Sequence, residues 1–77
     1  MSTENQTFGQ KAVGLSFNPS GDDAVGKCKQ DCATLIDQMN DLRSNSESAE
    51  QKRLASIAIT ELQGAQMWAV KALTWKD

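Results

Sequence analysis

Apolar residues in the middle of the chain recur at alternating steps of three and four positions. This spacing predicts an amphipathic helix over about residues 22–43, because such positions fall on one face of an α-helix. The apolar positions of this face are Val25, Cys28, Cys32, Leu35, Ile36, Met39 and Leu42. Asp22 and Asp23 stand at its start, where carboxylates accept hydrogen bonds from free backbone N–H groups. The pattern is typical of a seam against a second helix.

A polar connector and a second apolar helix follow. Residues 44–48 are polar and too few for anything but an antiparallel return. Ser48 and Gln51 have the spacing of a capping box, which marks the start of a helix. The apolar pattern then predicts a second helix over about residues 48–75. The sequence therefore predicts an all-α fold built on an antiparallel two-helix hairpin.

The second predicted helix is apolar on more than one face. The stripe expected to face the first helix contains Leu54, Ile57, Ala58, Leu62, Ala65, Trp68, Ala69, Ala72 and Trp75. Further apolar residues lie off the centre of that stripe, namely Ile59, Met67, Val70 and Leu73. Since one returning helix cannot cover all of these, the pattern predicts self-association through the second helix. The alternative is a monomer with a few exposed hydrophobic residues.

The N-terminal part lacks a sustained helical pattern. Residues 1–7 are polar, and we expect them to be flexible. Residues 8–21 form a short arm, with room for one helical turn, that we expect to lie against another part of the protein. The arm ends in a turn, because Pro19 fixes its own φ and keeps Asn18 out of the helical region, and Gly21 permits unusual angles. Residues 8–77 make a single domain in this interpretation.

Size, composition and charge narrow the classes of function. The chain has 77 residues, of which 39% are hydrophobic and 23% charged, as in a folded domain. A domain this small usually needs disulfides, a metal or oligomerisation to be stable. The net charge of -2 and the pI of about 4.9 argue against a nucleic-acid polymer as partner, because counterion release favours a basic face. A small anion in a local basic pocket remains compatible with this charge.

Neither a metal site nor a membrane segment is expected. The chain has no histidine and two cysteines, Cys28 and Cys32, which are too few ligands for a zinc site within one chain. Four residues apart on one helix, they are poorly placed for a disulfide, and we expect small buried thiols in a reducing cytosol. The sequence shows no signal segment and no apolar run long enough to span a bilayer, so we expect a cytoplasmic protein.

Catalytic patterns are missing from the sequence. There is no histidine or tyrosine, and no serine stands in a nucleophile elbow. The glycines match neither a phosphate-binding loop nor a dinucleotide fingerprint. The carboxylates fall where a solvated helix surface or a helix N-terminus places them. We therefore expect a protein that is not an enzyme and that uses no cofactor.

Binding chemistry is concentrated in the turn of the arm. Phe17 is an aromatic residue in a polar setting, where its ring can stack on a planar base. Asn18 and Ser20 offer amide and hydroxyl groups, and Lys27 and Lys29 are within reach of a phosphate. The alternative is that Phe17 packs on its own helices and that the lysines are solvated.

Two segments resemble the hairpin-domain anti-CBASS proteins of bacteriophages. The N-terminal segment has Phe8-Gly9, Lys11-Ala12-Val13-Gly14-Leu15 and Phe17-Asn18-Pro19-Ser20-Gly21, and the second helix has Arg53–Gln63 and Gln66–Leu73. The resemblance implies a homohexamer of helical hairpins in the cytoplasm of the infected bacterial host. It implies a sponge that sequesters cyclic dinucleotides such as 3',3'-cGAMP, and in some members cyclic trinucleotides at a separate site on the threefold axis. Such a sponge prevents activation of CBASS effectors without turnover.

The resemblance also implies roles for individual residues. Phe17 corresponds to the base-stacking aromatic of the family, and Lys29 to its phosphate-facing lysine, with Lys27 as a neighbour able to substitute for it. The same pocket is shaped by Asn18, Pro19 and Ser20. The chain between the aromatic and the lysine is shorter than in members with a tyrosine at the aromatic position, which leaves the register of the turn open.

A separate cyclic trinucleotide pocket is implied for the second helix. Arg53 corresponds to the arginine associated with that pocket, and Thr60 is a weaker candidate for ligand or interface contact. The main rival interpretation is a small oligomeric adaptor or inhibitor that binds a host protein through the apolar second helix. A DNA-binding regulator ranks third, because the hairpin lacks a third helix and a basic recognition face.

Overall fold

The computed structural model describes residues 5–18 and 21–77 and is all-helical over these residues. It contains α1 (Phe8–Ala12), α2 (Asp23–Asn45) and α3 (Ala49–Thr74), with no strand in the described segments. Residues 46–48 connect α2 to α3, and the two long helices pack together as a hairpin. This outcome agrees with the predicted all-α class. Of the region predicted to be flexible, residues 1–4 lie outside the described segments.

Side-chain caps fix where each helix begins. The Asp22 carboxylate accepts hydrogen bonds from the backbone N–H groups of Ala24 and Val25, at 2.8 and 3.4 Å. The Ser48 hydroxyl accepts from the Gln51 N–H at 3.1 Å and starts α3. In the expected capping box, the Gln51 side chain would also accept a hydrogen bond from the Ser48 N–H. The Ser48 N–H instead donates to the Ser46 hydroxyl at 3.0 Å.

The core lies where α1, α2 and α3 meet. Its buried members are Val13, Ala33, Ile36 and Ile59, surrounded by Ala12, Leu15, Cys32, Met39 and Leu62. The predicted seam of α2 is wrong in part, because Leu35 and Leu42 are exposed whereas Lys29 and Ala33 are buried. The buried face of α2 is rotated toward Ala33 because α2 packs against the arm as well as against α3.

The predicted inner face of α3 is wrong in larger part. Leu54, Ile57, Trp68 and Trp75 are exposed, and the buried residues of the helix are instead Ala55, Ile59 and Gln66. A helix that is apolar on several sides has no single face that periodicity can select. The outward face of α3 therefore carries the larger apolar residues in a single chain.

The arm is held on α2 by a close backbone approach. The Gly9 N–H donates to Asp37 Oδ1 at 2.6 Å. A Cβ at position 9 would lie 2.8 Å from Asp37 Oδ1 and closer still to the Ala33 carbonyl oxygen. A capping box formed by Thr7 and Gln10 starts α1. These contacts fix the helical part of the arm and hence the start of the turn that follows it.

Candidate ligand-binding site

Phe17 is exposed and lies five residues beyond the end of α1. Its residue exposure is 73%, so the alternative that the ring packs on its own helices is wrong for the single chain. The Phe17 N–H donates to the Gly14 carbonyl at 2.9 Å, and Gly14 has a φ of 63°, a conformation that favours glycine. The turn thus places an aromatic ring in solvent while its backbone is fixed.

Lys29 lies beneath this turn and is buried. Its exposure is 6%, so the alternative of a solvated lysine is also wrong. Its ammonium donates to the carbonyl oxygen of Gly14 at 3.1 Å and to that of Phe17. The Nζ atom is 5.5 Å from the centre of the Phe17 ring. The ammonium group therefore fixes the turn and lies next to the exposed ring at the same time.

Among the described residues, no carboxylate forms an ion pair with Lys29. In the segments that the structure describes, the ion pairs are Lys27–Asp31 and Glu50–Arg53, and neither involves this residue. An ammonium has three N–H donors, and the carbonyls of Gly14 and Phe17 accept from two of them. A phosphate oxygen is a strong acceptor for a group of this kind.

Of the other residues predicted for the turn, Asn18 makes hydrogen bonds with the backbone of its neighbours. The Asn18 carboxamide donates to the Asp22 carbonyl at 3.0 Å, and the Asn18 carbonyl accepts from the Gly21 N–H at 3.0 Å. Asn18 therefore ties the turn to the start of α2. Pro19 and Ser20 lie outside the described residues.

The structure does not bring Lys27 to the arm. Its ammonium is exposed and donates to Asp31 at 2.6 Å, one turn further along α2. The hydrogen bond and the charge of Asp31 raise the pKa of Lys27. Lys27 and Lys29 lie on different faces of α2, since two residues correspond to a rotation of about 200°. Lys29 is the lysine next to Phe17.

Arg53 and Thr60 lie on α3, on an outward face. Both are exposed, and they are seven residues apart, so their side chains are stacked along one side of the helix. The Arg53 guanidinium pairs with Glu50, with Nε 3.0 and 3.2 Å from the two carboxylate oxygens. The Thr60 hydroxyl donates to the Ser56 carbonyl at 3.3 Å. These two residues form a group separate from the turn.

A second cation beside an aromatic ring was missed by sequence reasoning. The Arg43 guanidinium lies 5.3 Å from the centre of the Phe8 ring and donates to Asn40 and Ser56, both at 3.1 Å. In the sequence, Arg43 marks only the end of the apolar pattern of the first helix. No local signal joins positions 8 and 43, because the contact depends on how the arm packs.

The two cysteines form no disulfide. Cys28 and Cys32 are free thiols, each half-buried on α2. Burial, and to a smaller degree the neighbouring Cys28, raises the pKa of the Cys32 thiol. A raised pKa keeps this thiol protonated and poorly nucleophilic at neutral pH. Within the described segments no cluster of potential metal ligands occurs, and no helix there is long and apolar enough to cross a membrane.

Comparison with known proteins gives one result. The chain matches the family model described as "Acb2/Tad1, hairpin domain" over residues 10–74. No curated protein and no solved structure gives a significant match. The matched segment begins inside α1 and includes the turn at Phe17 together with all of α2 and α3. With more than half of its length inside this match, the chain belongs to the Acb2/Tad1 hairpin-domain family of anti-CBASS sponges.

Proposed function

We propose that this protein binds and sequesters cyclic dinucleotides such as 3',3'-cGAMP, without catalysis. Its role is then to prevent activation of CBASS effectors in the cytoplasm of an infected bacterium. The observation that carries the proposal is the exposed Phe17 ring with the buried Lys29 ammonium 5.5 Å from its centre. A ring face and a cation at this distance suit a nucleotide, which has a planar base joined to an anionic phosphate.

Two copies of the turn are needed to surround such a ligand. A cyclic dinucleotide has two bases and two phosphates, whereas one chain offers one Phe17 and one Lys29. A twofold interface supplies the second pair by symmetry. We place the ligand across this interface, with one Phe17 ring against each base and one ammonium facing each phosphate. Asn18, Pro19 and Ser20 shape the wall of the same pocket.

The exposed apolar surface of α3 supports self-association. The described part of the chain is flat, with principal-axis extents of 46 × 30 × 12 Å. The exposed large apolar residues of α3 and its C-cap are Leu54, Ile57, Met67, Trp68, Leu73 and Trp75. Exposed apolar surface in excess of what a soluble monomer usually shows marks interaction sites. We propose that copies assemble through α3, as a hexamer in line with the family resemblance.

The assembly is tested by charging the outward face of α3. We expect the double variant Ile57→Glu/Trp68→Glu to lower the mass of the wild-type assembly in sedimentation velocity and to lose 3',3'-cGAMP binding. Burying an unpaired carboxylate at an interface is strongly unfavourable. Lys76→Glu makes a comparable charge change beyond the end of α3 and should leave the mass unchanged. A wild-type chain that sediments as a monomer at micromolar concentration would contradict the proposal.

A separate site for cyclic trinucleotides is proposed on α3. Arg53 supplies a guanidinium and Thr60 a hydroxyl on one outward side of the helix. A threefold arrangement of chains would supply three such sets for the three phosphates of the ligand. Because these residues lie on a different element from Phe17, the two ligands are expected to bind independently.

The dinucleotide site is tested by changing the stacking surface. We expect Phe17→Leu to weaken 3',3'-cGAMP binding by about 30-fold or more in calorimetry, since stacking contributes about 1–3 kcal/mol per base and a symmetric site loses two rings. Phe17→Tyr keeps the ring and is the matched control, with affinity expected within a few-fold of wild type. Equal affinity of Phe17→Leu and wild type would exclude this residue as the stacking group.

One observation favours a second candidate function. Met67, Trp68 and Lys71 line a surface pocket of about 190 Å³ near the end of α3, and the Lys71 ammonium lies 5.2 Å from the Trp68 ring centre and 5.8 Å from that of Trp75. An adaptor that binds a host protein would use such a pocket. This candidate predicts no change in melting temperature with any cyclic di- or trinucleotide, whereas a sponge is stabilised by its ligand.

A further inference from the structure

The arm has two exposed phenylalanines, one at its start and one at the beginning of its turn, and α2 places a cation beside each. Phe17 lies next to Lys29, and Phe8, which is 43% exposed, lies next to Arg43. Lys29 and Arg43 are 14 residues apart, which separates them by about 21 Å along the helix axis. Within one chain, the second pair therefore lies outside the pocket at Phe17. It needs an explanation of its own.

The guanidinium of Arg43 has no carboxylate partner among the described residues. Its Nε donates to Asn40 and its Nη1 to the Ser56 hydroxyl, both at 3.1 Å. A guanidinium has five N–H donors, and these two contacts involve neutral groups. A cation in the last turn of α2 is favoured by the helix dipole, but that effect does not require contact with α3. The contact with Ser56 places this charge at the edge of α3.

Ser56 lies on the same side of α3 as the proposed trinucleotide residues. It follows Arg53 by three positions and precedes Thr60 by four, and residues at these spacings are neighbours on a helix surface. The Ser56 carbonyl accepts the Thr60 hydroxyl at 3.3 Å. Through Ser56, Arg43 is thus adjacent to that side of α3. Arg53 is already paired with Glu50, whereas Arg43 has no such neutralising partner in the described segments.

We propose that Arg43 and Phe8 are part of the cyclic trinucleotide site, a role that rests on the proposed function of Arg53 and Thr60. Arg43 binds a phosphate of the ligand through its remaining N–H groups, a geometry that suits a guanidinium. Phe8 stacks on an adjoining base with the ring face that the guanidinium does not cover. In a threefold assembly each chain supplies one arginine and one ring, matching three phosphates and three bases.

The proposal is tested with cyclic triadenylate as the probe, by calorimetry on the full chain. We expect Arg43→Gln to weaken binding by about 100-fold or more, because three charge-assisted contacts are lost together. Phe8→Leu, which keeps apolar packing on α2, should weaken it by about 100-fold or more, because a threefold site loses three stacking rings together. Both variants should bind 3',3'-cGAMP with affinity within about twofold of wild type. Arg43→Lys keeps the positive charge but loses the planar set of guanidinium donors. Its affinity for cyclic triadenylate should fall between those of wild type and Arg43→Gln.

Ser56→Ala separates a binding role from a structural one. It removes the hydroxyl that Arg43 contacts but leaves the guanidinium in place, so cyclic triadenylate affinity should stay within about threefold of wild type. Wild-type affinity in both Arg43→Gln and Phe8→Leu, together with loss in Arg53→Gln, would overturn this inference and leave the proposed site intact. If Arg43→Gln and Phe8→Leu each lost binding of both cyclic triadenylate and 3',3'-cGAMP, the role of Arg43 and Phe8 would be in folding. That result would overturn this inference too. A wild-type chain that binds no cyclic trinucleotide would overturn both proposals.

Discussion

Replacing Lys29 with methionine is expected to abolish 3',3'-cGAMP binding and to loosen the turn that holds Phe17. The ammonium donates to the Gly14 and Phe17 carbonyls and is 94% buried, so the change removes two internal hydrogen bonds with the charge. In a twofold site it also removes both cations that face the phosphates, each contributing about 1.5–3 kcal/mol. The combined loss corresponds to a weakening on the order of 1,000-fold or more.

Two measurements separate the contributions of Lys29. The melting temperature without ligand reports the lost hydrogen bonds, and we expect a fall of several degrees. The affinity for 3',3'-cGAMP reports both the lost charge and the displaced ring. Lys76→Met removes the same group from an exposed position beyond α3 and should change neither quantity. Retained affinity in Lys29→Met would show that the phosphates are bound by other groups.

Adding a methyl group at Gly9 is expected to detach the arm from α2. In Gly9→Ala the new Cβ would overlap the Ala33 carbonyl oxygen and crowd Asp37 Oδ1. Because the obstacle is backbone rather than a flexible side chain, the strain is relieved by moving the arm. Overpacking of this kind costs about 1–3 kcal/mol, and the hydrogen bond from Gly9 to Asp37 is weakened as well.

Gly26→Ala is the matched control for Gly9. A Cβ at position 26 meets its nearest neighbour, the Asn18 side chain, at 3.7 Å, an ordinary contact. An alanine inside a helix is more stable than a glycine by about 0.5–1 kcal/mol. The free energy of unfolding in urea should therefore fall for Gly9→Ala and stay the same or rise for Gly26→Ala. Equal values for both variants would contradict the close packing of the arm.

The all-α class could be predicted from the sequence, because helix starts and apolar spacing are local signals. The capping positions of Asp22 and Ser48 are visible in the sequence, and α2 and α3 begin next to them. The buried faces could not be predicted with the same success. Ile59 lies in the core and Trp68 on the surface, although the sequence pattern assigned them the opposite way. An all-round apolar helix leaves that choice to tertiary packing.

The candidate site was predictable in its residue types but not in its contacts. The sequence singles out Phe17 as an aromatic in a polar turn, and the structure places it in solvent. For Lys29 the sequence shows a cation, whereas its burial under the Gly14 and Phe17 carbonyls depends on how the arm packs. Contacts between Gly9 and Asp37 or between Phe8 and Arg43 join positions far apart in the chain. Local spacing contains no information about such contacts.

The stoichiometry of 3',3'-cGAMP binding tests the central claim most directly. If each ligand lies across a twofold interface between two Phe17 rings, a calorimetric titration of the wild-type protein should reach saturation at one ligand per two chains. A ratio of one ligand per chain would mean that a single turn holds the ligand by itself. That ratio, or the absence of any binding heat and thermal shift, would contradict a sponge that encloses its messenger between copies.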